Sequence, residues 1–273
     1  MNIYRGCTHG CIYCDVRSKC YGFTHPIEDV EVKENAVQLL DDTLRRKRKK
    51  MVIGTGAMGD PYQHCEQQLL LMRRCLEVIL RHGFGVSVHT KSNRLLRDID
   101  LLEQIHRRAK CVVQTTLTTT DDALSRIIEP HVCTTRERID MLHALKARHI
   151  PTVVWLCPVL PHITDSSDNV HAIIDHCIEA DVKGIVCFNM GMTLREGDRE
   201  YFYQKLDRHF PGMKERYIAE FGNAYEVLSP HHEHLMREFR RRCGEAGIIC
   251  TPDEVFARIQ EFPERNRSLE LPF

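Results

Sequence analysis

The apolar positions of this chain change period repeatedly, and each change marks an element. Residues 33–50 carry Val37, Leu40 and Leu44 at helical spacing and close on the basic run 45–50. Cations gather at helix C-termini, where the dipole favours them, so this run reads as a helix end rather than a nucleic-acid contact. Residues 51–55 form a short apolar run stopped by glycines, consistent with a buried strand. Leu69, Met72, Leu76 and Ile79 make one helical stripe over 65–82, with Gly83 as its stop. Residues 84–90 alternate as a strand does. A helix near 98–109, an apolar strand at 111–117 and a helix from Asp121 to Ile128 follow. Thr134-Thr-Arg-Glu137 has the form of a capping box and opens a helix to about His149. Strands at 152–157 and 184–189 flank a helix at 167–180, whose Val170, Ile173, Ile174, Cys177 and Ile178 share a face.

Strand and helix thus alternate five or six times in under 200 residues. That rhythm means parallel strands joined by crossover helices, in a doubly wound sheet or an open, partial barrel. Either architecture places chemistry at the C-terminal ends of the strands. After about residue 195 the pattern becomes charged, aromatic-dotted and helical in period, broken at Pro211, Gly212, Pro230 and Pro252. The expected organisation is a core over 1–195 and a helical C-terminal extension over 196–273, packed on that core.

Composition narrows the class. Lysine plus arginine equals aspartate plus glutamate at 38 each, which argues against a protein whose main task is gripping a phosphate backbone. No apolar run approaches the roughly 20 residues of a spanning helix, and the N-terminus lacks a signal peptide's apolar core. The expected compartment is the cytosol. Thirteen cysteines there should be thiols or metal ligands rather than disulfides.

Three of them stand in eight residues, Cys7-Thr-His-Gly-Cys11-Ile-Tyr-Cys14. The C-x3-C-x2-C loop supplies three soft ligands and no obvious fourth, which suits an iron–sulfur cluster with one open iron. A structural zinc site wants four ligands, and His9, Cys20 or His25 offers one, so a zinc-stabilised nucleic-acid-binding module is the rival reading. Its surface would be the run 45–50 and the cluster Arg237 with Arg240-Arg241-Arg242, for which a solvated helix face is the default. The other ten cysteines are scattered and read as small buried apolar groups.

Arg5-Gly-Cys7-Thr-His-Gly-Cys11-Ile-Tyr-Cys14 resembles the signature of radical S-adenosylmethionine (SAM) enzymes, with an aromatic before the last cysteine. Further segments resemble the branch related to spore photoproduct lyases: Gly56–Gln63 with Glu66, Thr90-Lys-Ser92 with Arg97-Asp98, Thr116–Thr119 with Asp121, Glu129-Pro130 with Arg138, and Pro158–Pro161 with Asp165. They run in the family's order over residues 2–190. The resemblance implies a partial (βα)6 TIM-type barrel. It implies that Cys7, Cys11 and Cys14 hold a [4Fe-4S] cluster whose fourth iron is chelated by SAM. Reductive cleavage of SAM then yields a 5′-deoxyadenosyl radical that takes hydrogen from a substrate, in lyase- or oxidoreductase-type chemistry. The partner it implies is a low-potential electron donor such as a ferredoxin or flavodoxin; the substrate class stays open, nucleic acid included.

The same resemblance assigns roles by position. Tyr13 lies beside the adenine. Gly59 and Asp60 meet the methionyl amine, although Asp-Pro also favours a plain turn. Lys91 pairs with the SAM carboxylate or ribose, Thr116 replaces a frequent serine, and Arg138 completes the cofactor contacts from within a predicted helix. Two positions depart from spore photoproduct lyases. Ala57 stands where they carry a hydrogen-donating cysteine, and Asp15 where they carry a tyrosine. The expected enzyme is therefore a relative with another substrate. Cys157 and Cys187, near two strand ends, are candidate replacements for the missing thiol, against the plainer reading of buried packing. Cys20, Cys65 and Cys133 lack the tight spacing of an auxiliary cluster, and the histidines show no ligand spacing. Only six residues precede Cys7, which predicts an incomplete first strand.

Overall fold

The architecture, taken from a computed structural model that describes residues 1–263, follows the alternation of apolar runs and amphipathic stretches. A two-residue strand β1 (Tyr4–Arg5) pairs antiparallel with β2 (Glu31–Val32), and the cysteine loop lies between them. Helix α1 (Ala36–Arg46) leads to β3 (Val52–Thr55), then α2 (Glu66–Leu69), α3 (Leu71–His82) and β4 (Gly85–His89). Next come α4 (Ile99–Arg108), β5 (Cys111–Thr116), α5 (Asp122–Ile128), α6 (Thr135–Ala147) and β6 (Thr152–Trp155). Helix α7 (Ser167–Glu179) precedes β7 (Gly184–Val186) and the short strand β8 (Gly191–Thr193). Then α8 (Asp198–His209), α9 (Met213–Phe221), β9 (Glu226–Leu228), α10 (His232–Ala246) and α11 (Pro252–Gln260) follow.

Strands β3 to β7 form one parallel sheet in sequence order. The α/β partial barrel that the resemblance implied is present, with five parallel strands where six units were expected. The residues before Cys7 join the β1–β2 pair instead of the sheet. The expected helix over 65–82 divides at Leu70, which takes a left-handed conformation (φ 51°) between α2 and α3. The capping box at Thr134 and Glu137 forms as expected and opens α6.

Register decides what each face of the sheet does. Ser87 is opposite Val112, His89 opposite Gln114, Gln114 opposite Val153, and Trp155 opposite Val186. Side chains alternate along a strand, so these residues share the concave face. Val86, Val88 and Val113 point the other way into a core with α3 and α4; Val154 and Ile185 do so with α7 and α10. The concave face is covered from an unexpected direction. Val255 and Ile259 of α11 pack on Val112, Val153 and Val186, so the last helix sits inside the barrel rather than on its outside. Gly184 permits this approach: a Cβ there would stand 3.1 Å from Val255. Lys110 donates its ammonium to the carbonyls of Arg258 and of Glu261 (2.7 Å), favourable charge at a helix C-terminus.

Residues 198–260 are mostly helical, as expected, with β9 pairing back to β8; the end of the expected extension lies outside the described residues. Two members of the basic cluster on α10 are ion-paired: Arg241 with Glu238 and Glu245, Arg242 with Asp175. No helix among the described residues is long and apolar enough to cross a membrane.

Candidate active site

A cavity of about 890 Å³ opens on the concave face at the C-terminal ends of β3 and β4. Its upper wall is the cysteine loop: Cys7, Cys11 and Cys14 all line it, with His9 between them. The loop is held by side chains from the neighbouring turn. Gln63, fully buried, accepts from the Thr8 N–H through Oε1 (3.0 Å) and donates to the Gly6 carbonyl through Nε2 (3.3 Å). Gly6 and Gly59 cross backbone to backbone; a Cβ on Gly59 would stand 2.4 Å from the Gly6 oxygen. Glycine at 59 is thus required by the close approach itself.

Asp60 ties the β3 and β4 ends together. Its Oδ1 accepts from the Tyr62 N–H (2.8 Å) and the Thr90 hydroxyl (2.6 Å), and its Oδ2 from the Lys91 N–H (2.8 Å). The turn reading and the site reading are both satisfied, since the carboxylate makes an Asx turn and still lines the cavity. His9 Nδ1 lies 3.5 Å from Asp60 Oδ2, while its buried Nε2 has no partner. Burial pushes His9 down to about 4, so the ring is neutral at pH 7. The Lys91 ammonium stands 3.8 Å from Cys11 Sγ and over the Tyr13 ring at 5.4 Å. Burial alone would lower Lys91; the neighbouring Cys11 and Glu129 outweigh it, and the group stays charged.

Burial pushes the cysteine thiols up, to about 11 for Cys7 and about 12 for Cys11, with Cys14 also raised. A cation bound among them would favour the thiolate forms against this burial. Among the described residues no three His, Cys, Asp or Glu side chains are grouped around one metal ion. Ligands that each serve a different iron of one cluster need not share a point.

A profile of the Radical SAM superfamily matches residues 1–177, which include the cysteine loop, Asp60 and Lys91. The chain belongs to the radical SAM superfamily. An uncharacterised protein of Mycobacterium tuberculosis (strain ATCC 25618 / H37Rv) is 30% identical over 246 residues, covering 87% of this chain and 71% of the relative; one of Mycobacterium bovis matches equally. An uncharacterised protein of Acidianus two-tailed virus is 24% identical over 171 residues, 59% of this chain and 56% of its own length. In fold, the chain is similar to spore photoproduct lyase complexed with dinucleoside spore photoproduct (TM-score 0.65, 10% identity, 91% of this chain and 74% of that one). A spore photoproduct lyase mutant with bound SAM superposes at a TM-score of 0.63, with 11% identity and the same coverage.

Radical SAM membership brings a [4Fe-4S] cluster and SAM as cofactors. The residues present fit them: three thiols on one wall, an orphaned buried imidazole nitrogen, a charged lysine and a carboxylate facing one cavity. Of the expected site residues, Cys7, Cys11, Cys14, Gly59, Asp60 and Lys91 line that cavity, as does Ala57.

Arg138, Tyr13, Thr116 and Cys157 are not among its lining residues. Arg138 is fully buried behind the site; it pairs with Glu129 and donates to the Thr116 carbonyl (2.7 Å) and the Ser125 hydroxyl (3.3 Å). Its guanidinium is occupied by these buried partners. Tyr13 packs in an apolar cluster with Ile128 and Leu160, and its hydroxyl donates to Glu129. Thr116 turns its hydroxyl to His89 Nε2 (3.3 Å). Cys157 is half-buried at the end of β6, and burial pushes its thiol up to about 12. Cys187 is buried and donates to the Asn189 carbonyl (3.4 Å), the packing role. Asp15 is bound by the Tyr21 hydroxyl (2.6 Å) and the Ser18 hydroxyl (3.1 Å). Sequence reasoning missed Gln63, His9 and His89; a histidine inside the cysteine spacing was the available signal for His9.

Proposed function

We propose that this radical SAM enzyme holds its cluster on Cys7, Cys11 and Cys14 and acts on a substrate other than the spore photoproduct. The observation that carries the reading is the meeting of three thiols, Asp60 and Lys91 on one cavity. When bound, the cluster and SAM supply one-electron cleavage of the sulfonium and a 5′-deoxyadenosyl radical. The chain's own residues bind, orient and exclude water. Gly59 lets the β3 turn approach the cysteine loop, Asp60 offers acceptor capacity to an ammonium, and Lys91 offers charge to a carboxylate. The β3 and β4 walls enclose the reacting centre, which limits quenching by solvent. An external low-potential electron donor, of ferredoxin or flavodoxin type, is the partner this chemistry needs.

Ala57 supports a different substrate, because a methyl group faces the cavity where spore photoproduct lyases carry a thiol. Cys157 is the residue assigned here to return hydrogen to the product. The core ends near residue 195 in this reading, and the segment to 273 serves the core as its extension. Anaerobic reconstitution followed by dithionite should release 5′-deoxyadenosine from SAM, with no repair of thymine dimers in ultraviolet-irradiated spore DNA. A colourless protein holding one zinc and cleaving no SAM overturns the enzyme reading; efficient dimer repair overturns the substrate reading.

A further inference from the structure

The concave face offers more binding surface than its cysteine end uses. Ser87 lies within β4 and Lys91 two residues past its end, and both line the same cavity. The deep end is walled by rings. The Trp155 indole stacks on His89 at 4.8 Å and 20°, and Phe256 of α11 meets it at 5.8 Å. Phe188, 56% exposed, stands edge-on to the same indole at 6.1 Å. A polar strip runs beside the rings: Trp155 Nε1 donates to Gln114 Oε1 (2.8 Å), and Gln114 Nε2 donates to Ser87 Oγ (2.7 Å). An amide carries two acceptor and two donor positions. Gln114 therefore keeps one acceptor and one donor position, and it lines the cavity beside Trp155.

We propose that this deep end is the substrate-recognition site, taking a neutral heteroaromatic ring stacked on Trp155 and Phe256 and held at its edge by Gln114. The chemistry done to that ring's carrier rests on the radical SAM reading; the recognition rests on these residues alone. A phenyl ring would stack but leave the Gln114 pair unused, whereas a ring with adjacent donor and acceptor engages both. Among the described residues the one carboxylate lining the cavity is Asp60, at the cysteine end, so a cationic ring finds none beside Trp155. Helix α11 is the selecting element. It lies outside the family-matched residues 1–177, and the fold fixes it through Gly184 and Lys110.

Trp155 is the chain's single tryptophan, so intrinsic indole emission reports on this wall directly. The full chain is saturated with SAM, without reductant, and titrated with free nucleosides, which supply such rings. N-acetylphenylalaninamide supplies a ring without a polar edge. At least one nucleoside is expected to change the emission saturably. Phe256→Ala should weaken that binding about two- to twelve-fold, the worth of one aromatic pair. Phe256→Leu, which keeps α11 packed, should weaken it as well, and Gln114→Met should abolish the preference over N-acetylphenylalaninamide. Three results overturn the proposal: SAM alone saturating the change so that nucleosides add nothing, equal binding of both probes, or no response to any probe. Iron content and SAM cleavage are measured separately, so failure of the ring site and failure of the radical SAM reading are distinguishable.

Discussion

Replacing Arg138 with methionine should cost about 3–5 kcal/mol of stability, because it breaks a fully buried ion pair from one side. The Glu129 carboxylate would be left buried with Tyr13 as its hydrogen-bond donor, and the Thr116 carbonyl would lose its guanidinium donor. The cost also depends on pH, with a definite sign. Burial alone would raise the Glu129 carboxyl; Arg138 and Lys91, with the Tyr13 hydroxyl, outweigh it and hold it below the ordinary range. The stability this carboxylate contributes in the natural protein is therefore present above its unfolded value of roughly 4.3 and lost as pH falls through the folded one. In the variant burial wins, and the folded value lies above the unfolded one. Ionising the group then destabilises the fold by up to about 1.4 kcal/mol per pH unit between the two values. The gap between natural protein and variant should widen from about pH 4.5 to about pH 7.5, read from urea unfolding followed by circular dichroism. Arg138→Met combined with Glu129→Leu should recover most of the loss, since removing both charges is often near neutral. A cost under about 1 kcal/mol, or one unchanged across pH, would refute the reasoning.

Further outcomes follow from other positions. Gly59→Ala should lower stability by roughly 1–3 kcal/mol, because its Cβ meets the Gly6 oxygen at 2.4 Å; an unchanged melting temperature contradicts that contact. Asp198, buried at the start of α8, has its carboxyl pushed up to about 6 by burial, with Asp15 adding repulsion. Its folded value exceeds the unfolded one, so its cost grows as pH rises between them and is complete above about 6. Asp198→Asn should therefore raise the melting temperature at neutral pH and leave it nearly unchanged near pH 4; equal shifts at both would sink this account. Cys157→Ala should keep the natural iron content and release 5′-deoxyadenosine at the same rate without substrate, because its proposed role comes after that step. Loss of iron in this variant would make Cys157 a ligand instead.

The parts of the structure that local pattern controls were legible in the chain. The apolar runs of β3 to β7, the amphipathic helices between them and the capping box at Thr134 each depend on neighbours a few residues apart. The cysteine loop was legible from its spacing, and Gly59, Asp60 and Lys91 from the family resemblance; all of them line one cavity. Features set by long-range packing were hidden. Tyr13 reaches Glu129 across 116 residues, and no periodicity marks that bond. Arg138 looks like any exposed helical arginine until Glu129 and the Thr116 carbonyl close around it. Helix α11 carries an ordinary amphipathic stripe, and only the open side of a five-stranded barrel explains why Val255 and Ile259 face inward. The break at Leu70 falls within an unbroken helical stripe, where the sequence carries neither glycine nor proline.

The most direct test of the account is the iron content of the anaerobically reconstituted chain beside Cys7→Ala, Cys11→Ala and Cys14→Ala. About four irons per natural chain, with the brown absorbance of a [4Fe-4S] cluster and its loss in each variant, is the predicted result. Iron retained in any of the three variants, or one zinc bound in place of iron, would contradict the assignment of these cysteines.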